Sequence, residues 1–409
     1  MYFQDVYLYL EFLIEKKNNL RIFSKILRLI QFFFIFIYLI KKRNFKSSYN
    51  FFLYFLEKDH QKKKFYFTIF DKNSRDFDIS IDRCKKNFNN IKYNFFEFLI
   101  YYKYFLIYSD LVVAANLRRK IIQELYRELS FKKYLFKVHL TSIIENIVYQ
   151  ENSNFDKEIL FFKNKFICDK DIFKQFYDFF LVINKKNITQ TIISRDDVEY
   201  SKLIKNKSVS IIGPADVNHD QGKTIDSFDL VVRPIYNPDQ KLNQNFYGKR
   251  TDISYYNFGF ISKLPEKIKH SSKLLKFINL KVKDKVYEQN KNYRIFKLLD
   301  PIYFNGSGNA IPNIVFDLIF FSPKKIKIFN STLYLGKSLY GKDFQIYDGR
   351  QNFNLIKNYK IRNHDLISQF IFLKIIWLKE LICFDNFGSD VIKKTLNEYV
   401  KEYQDQELK

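Results

Sequence analysis

The sequence predicts an α/β protein: an open, largely parallel sheet in the C-terminal half, preceded by a mostly α-helical N-terminal half. Three observations predict it. All 10 glycines and all 7 prolines of the 409 residues lie at or after Gly213. These residues supply positive φ angles, tight turns and helix stops, so the stretch before them cannot easily form a many-stranded, tightly turned fold. Beyond Gly213, short apolar runs of strand length occur with a run of helix length, the grammar of a parallel sheet covered by helices. Apolar residues make up 47% of the chain, enough for a core in each half and too many for a wholly disordered chain.

Residues 1–60 read as two or three helices, with apolar residues at mixed three and four spacings. The most apolar run, Leu29 to Ile40, is 12 residues long and flanked by Arg28 and by Lys41, Lys42 and Arg43. That is short of the roughly 20 residues that span a bilayer. It predicts a buried core helix, with a helix lying in a membrane interface as the alternative. Between Lys62 and Arg83, Phe65, Phe67 and Ile69 alternate, DKNSRD supplies a turn, and Phe77, Ile79 and Ile81 alternate again, predicting a small hairpin. Helical spacing returns from Ile91 to Phe180. The polar junction Ile193 to Lys207 then marks a boundary between a domain of residues 1–200 and one of residues 201–409. Past it, SVSII (Ser208 to Ile212), FDLVVR (Phe228 to Arg233), DISYYN (Asp252 to Asn257) and KKIKIFN (Lys324 to Asn330) predict strands, and AIPNIVFDLIFF predicts a helix before the last of them. In such sheets ligands sit outside the carboxyl ends of the strands, which makes the residues following each strand informative.

The net charge of +25 is divided almost equally between residues 1–200 and 201–409, and 14 arginines stand against 55 lysines. A nucleic-acid footprint would concentrate on one arm or stripe, so no nucleic-acid partner is expected. A general affinity for anionic surfaces or substrates remains. Cys84, Cys168 and Cys383 have no paired spacing, which indicates neither a disulfide framework nor a zinc site. The pairs Asp76/Asp78 and Asp169/Asp171 read as solvated charges. The chain lacks the GxGxxG and GxxxxGK[ST] phosphate signatures, HExxH and a nucleophile elbow. The N-terminus has neither a basic start nor a small-residue cleavage site, and a reducing, cytoplasmic setting is expected.

Taken together, the motifs resemble the sialyltransferases, both the animal type and the small bacterial membrane-associated type. SVSIIGPADVNHDQGKTIDSFDLVVRPIYN followed by YGKRTDISYYN is similar to their large motif. NGSGNAIPNIVFDLIFFSPKKIKIFNSTLY resembles the small motif, and NHDLISQFIFLKIIWLKELICFD the final motif with its histidine. The resemblance covers about residues 208–403. It implies a Rossmann-like glycosyltransferase domain that moves sialic acid or a related keto acid sugar from a CMP-activated sugar to a glycan hydroxyl, with inversion and without a metal or other cofactor.

The resemblance also implies roles. An acceptor hydroxyl needs a base as attack begins, and His364 matches the family's catalytic histidine. The departing phosphate needs preorganised donors; Tyr334 and Tyr340 stand at the six-residue separation of two tyrosines that serve this purpose in the bacterial enzymes. Ser307 and Gly308 match the Ser-Gly pair that faces the nucleotide, and Asn257 an asparagine that binds the sugar or nucleotide; Gly213, Ala215, Asp216 and Asn237, the asparagine nearest a displaced family position, complete the expected donor site. Arg233 joins them as the weakest member, its fork being equally suited to tying neighbouring loops. Two departures stand out: Pro214 and Ile235 occupy positions where the family has asparagine.

The expected partners are therefore a CMP-sugar and a glycan acceptor, including a lipid-linked one, with peripheral contact at the inner face of the cell membrane. The alternative expectation is a non-catalytic membrane-surface or scaffold protein carrying a decayed transferase fold.

Overall fold

The computed structural model describes residues 111–127, 195–215, 219–237, 240–256, 275–279, 293–296, 308–336 and 365–406. The chain divides into two compact units, residues 1–100 with 129–136 and residues 101–128 with 137–409; every described residue belongs to the second. The helices expected in residues 1–60, the run Leu29 to Ile40 and the hairpin at residues 62–83 lie outside the described residues.

The elements run α1 (Leu111–Arg127), α2 (Arg195–Ile204), β1 (Ser208–Ile212), α3 (Gly222–Asp226), β2 (Leu230–Pro234), α4 (Gln244–Tyr247), β3 (Ile253–Tyr256), β4 (Leu275–Asn279) and β5 (Tyr293–Phe296). There follow α5 (Ala310–Ile319), β6 (Lys325–Phe329), α6 (Leu366–Leu378), β7 (Cys383–Phe384), α7 (Asn386–Lys393) and α8 (Leu396–Asp405). The strands form one sheet in the order β5-β4-β3-β2-β1-β6-β7, and every pairing is parallel. An α/β parallel sheet is thus the fold of the C-terminal half. The four strands read from the sequence are present, and β4, β5 and β7 are additional.

The strand sequences are apolar on both faces because both faces are covered. Ile212 and Val231 pack with Phe329 on one face, against Ile225 and Tyr247 of α3 and α4. The opposite face carries Tyr255, whose hydroxyl donates to Asp317 of α5 at 2.7 Å and shares a 2.6 Å hydrogen bond with Tyr200 of α2. Arg294 of β5 closes this cluster. Its guanidinium makes a two-pronged contact with Asp317 at 2.7 and 3.0 Å, reaches Asp197 at 2.8 Å, and lies over the Tyr200 ring at 4.4 Å. Burial disfavours that charge, yet Asp317 outweighs it and holds the guanidinium above its ordinary pKa.

Helix α1 lies in the half expected to form a separate helical domain, and it packs on elements of the other half. Val112 N–H donates to Gln404 Oε1 of α8 at 3.2 Å. Arg118, fully buried, forms an ion pair with Asp365 at the start of α6. Among the described residues no helix is long and apolar enough to cross a membrane.

Candidate functional site

The strand order reverses between β1 and β6. Chain connections leave β1 toward β2 on one side and return to β6 on the other, opening a crevice at the carboxyl ends, where open α/β sheets bind ligands. Gly213 follows β1 and Asn330 follows β6, side by side. Gly213 N–H donates to the Phe329 carbonyl at 2.7 Å, and Ala215 N–H to the Asn330 carbonyl at 3.0 Å. Only glycine fits this crossing, since a Cβ on residue 213 would stand 2.2 Å from the Asn330 oxygen.

Asn330 is the hub of the crevice floor. It is fully buried and holds φ at +52°, a conformation asparagine tolerates better than most residues. Its N–H donates to Asp385 Oδ2 at 2.7 Å, its Nδ2 donates to the Phe246 carbonyl at 3.0 Å, and its Oδ1 accepts from Gln221 Nε2. Asp385 in turn caps α7 by accepting from Gly388 N–H at 2.9 Å. One asparagine thereby ties β6, α4, the start of α3 and the start of α7. The sequence reading marked Asn330 as a strand-end residue but gave no role to Asn330, Gln221 or Asp385; their partners are 55 to 109 residues away in sequence.

Left-handed backbone occurs at both edges of the sheet: Asn206, Ser322 and Glu380 precede β1, β6 and β7. Ile235 after β2, and Asn330, Leu333 and Tyr334 after β6, all have positive φ. Of these, only Ile235 is β-branched, which makes it a genuine outlier.

Two helix N-termini also reach this edge. The chain leaves β5 at its carboxyl end and enters β6 at its amino end, where Lys324 N–H bonds the Lys207 carbonyl; α5 makes the return and so begins at the carboxyl edge. Helix α6 returns to β7 in the same way. The two starts touch: Asn309 N–H, at the N-cap of α5, donates to Gln369 Oε1 in the first turn of α6 at 3.3 Å. The side chain of Asn309 makes no capping bond, and the amide groups Nδ2 of Asn309 and Nε2 of Gln369 are buried without a hydrogen-bond partner. A buried unmade donor costs about 1–3 kcal/mol, so each of these two amides is a cost that the described contacts do not offset. First-turn N–H groups lack intrahelical acceptors and favour negative charge there; Pro312 removes one such donor from α5.

Of the residues read from the sequence, the structure brings together Gly213 and Ala215 through Asn330. Tyr334 stands four residues further along the same loop, half-buried at φ +72°. Gly308 immediately precedes Asn309. Asn237 follows β2, and its carbonyl accepts from Gln240 N–H. Arg233 is buried, and its guanidinium is engaged by the β2–β3 connection: Nε donates to Thr251 Oγ1 at 2.9 Å and Nη2 to the carbonyls of Tyr247 and Gly248. The fork therefore ties loops. Burial pulls its pKa down to about 10, against Tyr236, Asp226 and Tyr247. Its Nη1 alone is left without a hydrogen bond. Asp216, Asn257, Ser307, Tyr340 and His364 lie outside the described residues.

No group of three or more His, Cys, Asp or Glu that could hold a metal ion occurs among the described residues. Compared with protein-family models, with curated proteins and with solved structures, the chain matches none.

Proposed function

We propose that the protein is an inverting, metal-independent glycosyltransferase of the sialyltransferase type, built on a Rossmann-like sheet. It transfers sialic acid or a related keto acid sugar from its CMP ester to a glycan acceptor. The observation that supports this reading best is the meeting of three separate segments at one sheet edge. The Gly213 turn lies against the end of β6, and the start of α5 touches the first turn of α6. These are the segments that resemble the large, small and final motifs.

In the displacement, the acceptor oxygen forms a bond to the anomeric carbon of the donor sugar as the bond from that carbon to the phosphate oxygen breaks. His364 takes the acceptor proton. CMP leaves with the electron pair of the broken bond, its charge met by the hydroxyls of Tyr334 and Tyr340 and by the start of α5. A cytoplasmic enzyme at the inner membrane face, acting on a lipid-linked glycan precursor, fits the basic, aromatic chain.

Thermal unfolding of the full chain with and without CMP tests the nucleotide site, because any ligand specific for the folded state must stabilise it, by about 2.7 kcal/mol at a hundredfold excess over Kd. Incubation with cytidine-activated keto sugars and a panel of glycan acceptors then tests transfer. His364→Ala should abolish transfer and leave CMP binding intact. No stabilisation at millimolar CMP would overturn the reading and favour a non-catalytic surface or scaffold protein.

A further inference from the structure

We infer that Arg118, on α1 and far outside the motif-bearing segments, is a positioning residue for the donor pair formed by Asn309 and Gln369. The inference rests on reading that pair as part of a ligand site.

The guanidinium is wholly buried, as is the carboxylate it meets. Nη1 lies 3.1 Å from both oxygens of Asp365, and Nη2 donates to Ser368 Oγ at 2.6 Å. Ser368 closes the loop. Its hydroxyl donates to Asp365 Oδ2 at 2.6 Å, and its N–H to Oδ1 at 2.9 Å. Asp365 is the N-cap of α6, so one carboxylate satisfies both the helix and a cation from 247 residues away. The fork fixes where the first turn of α6 stands and how it is rotated.

Gln369 is the next residue. Its N–H donates to the Asp365 carbonyl at 3.0 Å, and its side chain meets Asn309 through a single bond of 3.3 Å. A contact that long does not hold the amide by itself; the placement of the turn does. Stability alone is a weak reason for such an arrangement, because a buried ion pair is often no better than apolar packing, whereas it does fix geometry. Helix α1 is anchored a second time by Val112 on Gln404. Lysine would keep the buried charge but not the planar fork that spans Asp365 and Ser368 together.

The test uses the full chain as wild type, Arg118→Lys, Gln369→Leu and the double variant, with CMP as the probe. Calorimetric Kd is measured beside the melting temperature. Arg118→Lys should weaken CMP about tenfold, roughly the loss of one well-placed hydrogen bond, with the protein still folded. Gln369→Leu should weaken it similarly, and the double variant should be no weaker than Gln369→Leu alone, because Arg118 acts through Gln369. A lowered melting temperature with unchanged Kd would make Arg118 merely structural and overturn the inference. Losses that multiply in the double variant would do the same. If Arg118→Lys does not fold, Ser368→Ala removes one arm of the fork and carries the same comparison. Wild-type protein that binds neither CMP nor inorganic phosphate would instead overturn the ligand site, and the inference with it.

Discussion

Gly213→Ala tests whether the crevice at the strand reversal is built on backbone contact. The added methyl would meet the Asn330 oxygen at 2.2 Å, the Asn330 carbonyl carbon at 2.8 Å and the Phe329 oxygen at 3.2 Å. All three are main-chain atoms, so no side-chain rotation relieves the clash. The ends of β1 and β6 would have to part by about 1 Å, which takes hydrogen bonds now at 2.7 and 3.0 Å beyond useful geometry. Two buried backbone bonds lost, at about 1–3 kcal/mol each, give roughly 3–4 kcal/mol. That is a large share of a total stability of about 5–15 kcal/mol. In urea the unfolding midpoint should fall by about 1 M, and CMP should no longer stabilise whatever remains folded. A midpoint unchanged from wild type would refute the reasoning, since it would mean the strands do not cross as closely as described.

Ile235→Asn should raise stability by about 1 kcal/mol, because it relieves a β-branched residue held at φ +53°; denaturant unfolding checks the sign. Arg294→Met should cost about 3–5 kcal/mol by leaving buried Asp317 uncompensated, and adding Asp317→Leu should recover much of it. The phenols of Tyr200, Tyr255 and Tyr399 are raised by burial, with Asp317 adding to the first two. Their contribution is whole below the ordinary tyrosine pKa of about 10 and is lost as pH climbs above it, because the unfolded chain ionises first. Tyrosinate absorbance from these three should therefore appear only with loss of helical circular dichroism. A smooth titration in the folded protein would contradict their burial.

Much of the sheet was legible because its strands are short apolar runs with strong punctuation. Ser208 to Ile212 ends on Gly213-Pro214, and the predicted and observed limits of β1 coincide. The predicted β2 starts two residues early: Asp229 turns back to accept the Ser208 N–H and hydroxyl, which delays the strand to Leu230. The predicted β6 runs one residue long at each end, at the far end because Asn330 turns to positive φ. Strand β7 has two residues and carries no pattern to read. Strand β5 contains Arg294, which reads as polar in sequence and is buried only because two carboxylates far along the chain come to meet it. The same physics hid the hub at Asn330 and the fork at Arg118. Each depends on pairing over distances that local spacing does not encode, whereas Gly213 announces itself by what it lacks.

The geometry of the Gly213 turn changes what the two departures from the sialyltransferase pattern mean. Gly213 N–H is taken by Phe329, Pro214 has none, and Ala215 N–H is taken by Asn330. The Ala215 carbonyl accepts from the Tyr247 hydroxyl at 3.2 Å. Among the described residues of the turn, Gly213 to Ala215, the main chain therefore offers no N–H to a phosphate; it supplies a close-packed floor. Asparagine at 214 would have added a side-chain donor, and asparagine at 235 would also have suited the left-handed backbone now imposed on isoleucine. With both missing from the β1 and β2 ends, the unmade donors that remain at the described edge are Nη1 of Arg233 on β2 and the amides of Asn309 and Gln369 where α5 and α6 begin. Under the function proposed above, the anionic group of the donor would be met by Asn309 and Gln369, beside the helix whose first turn Arg118 holds.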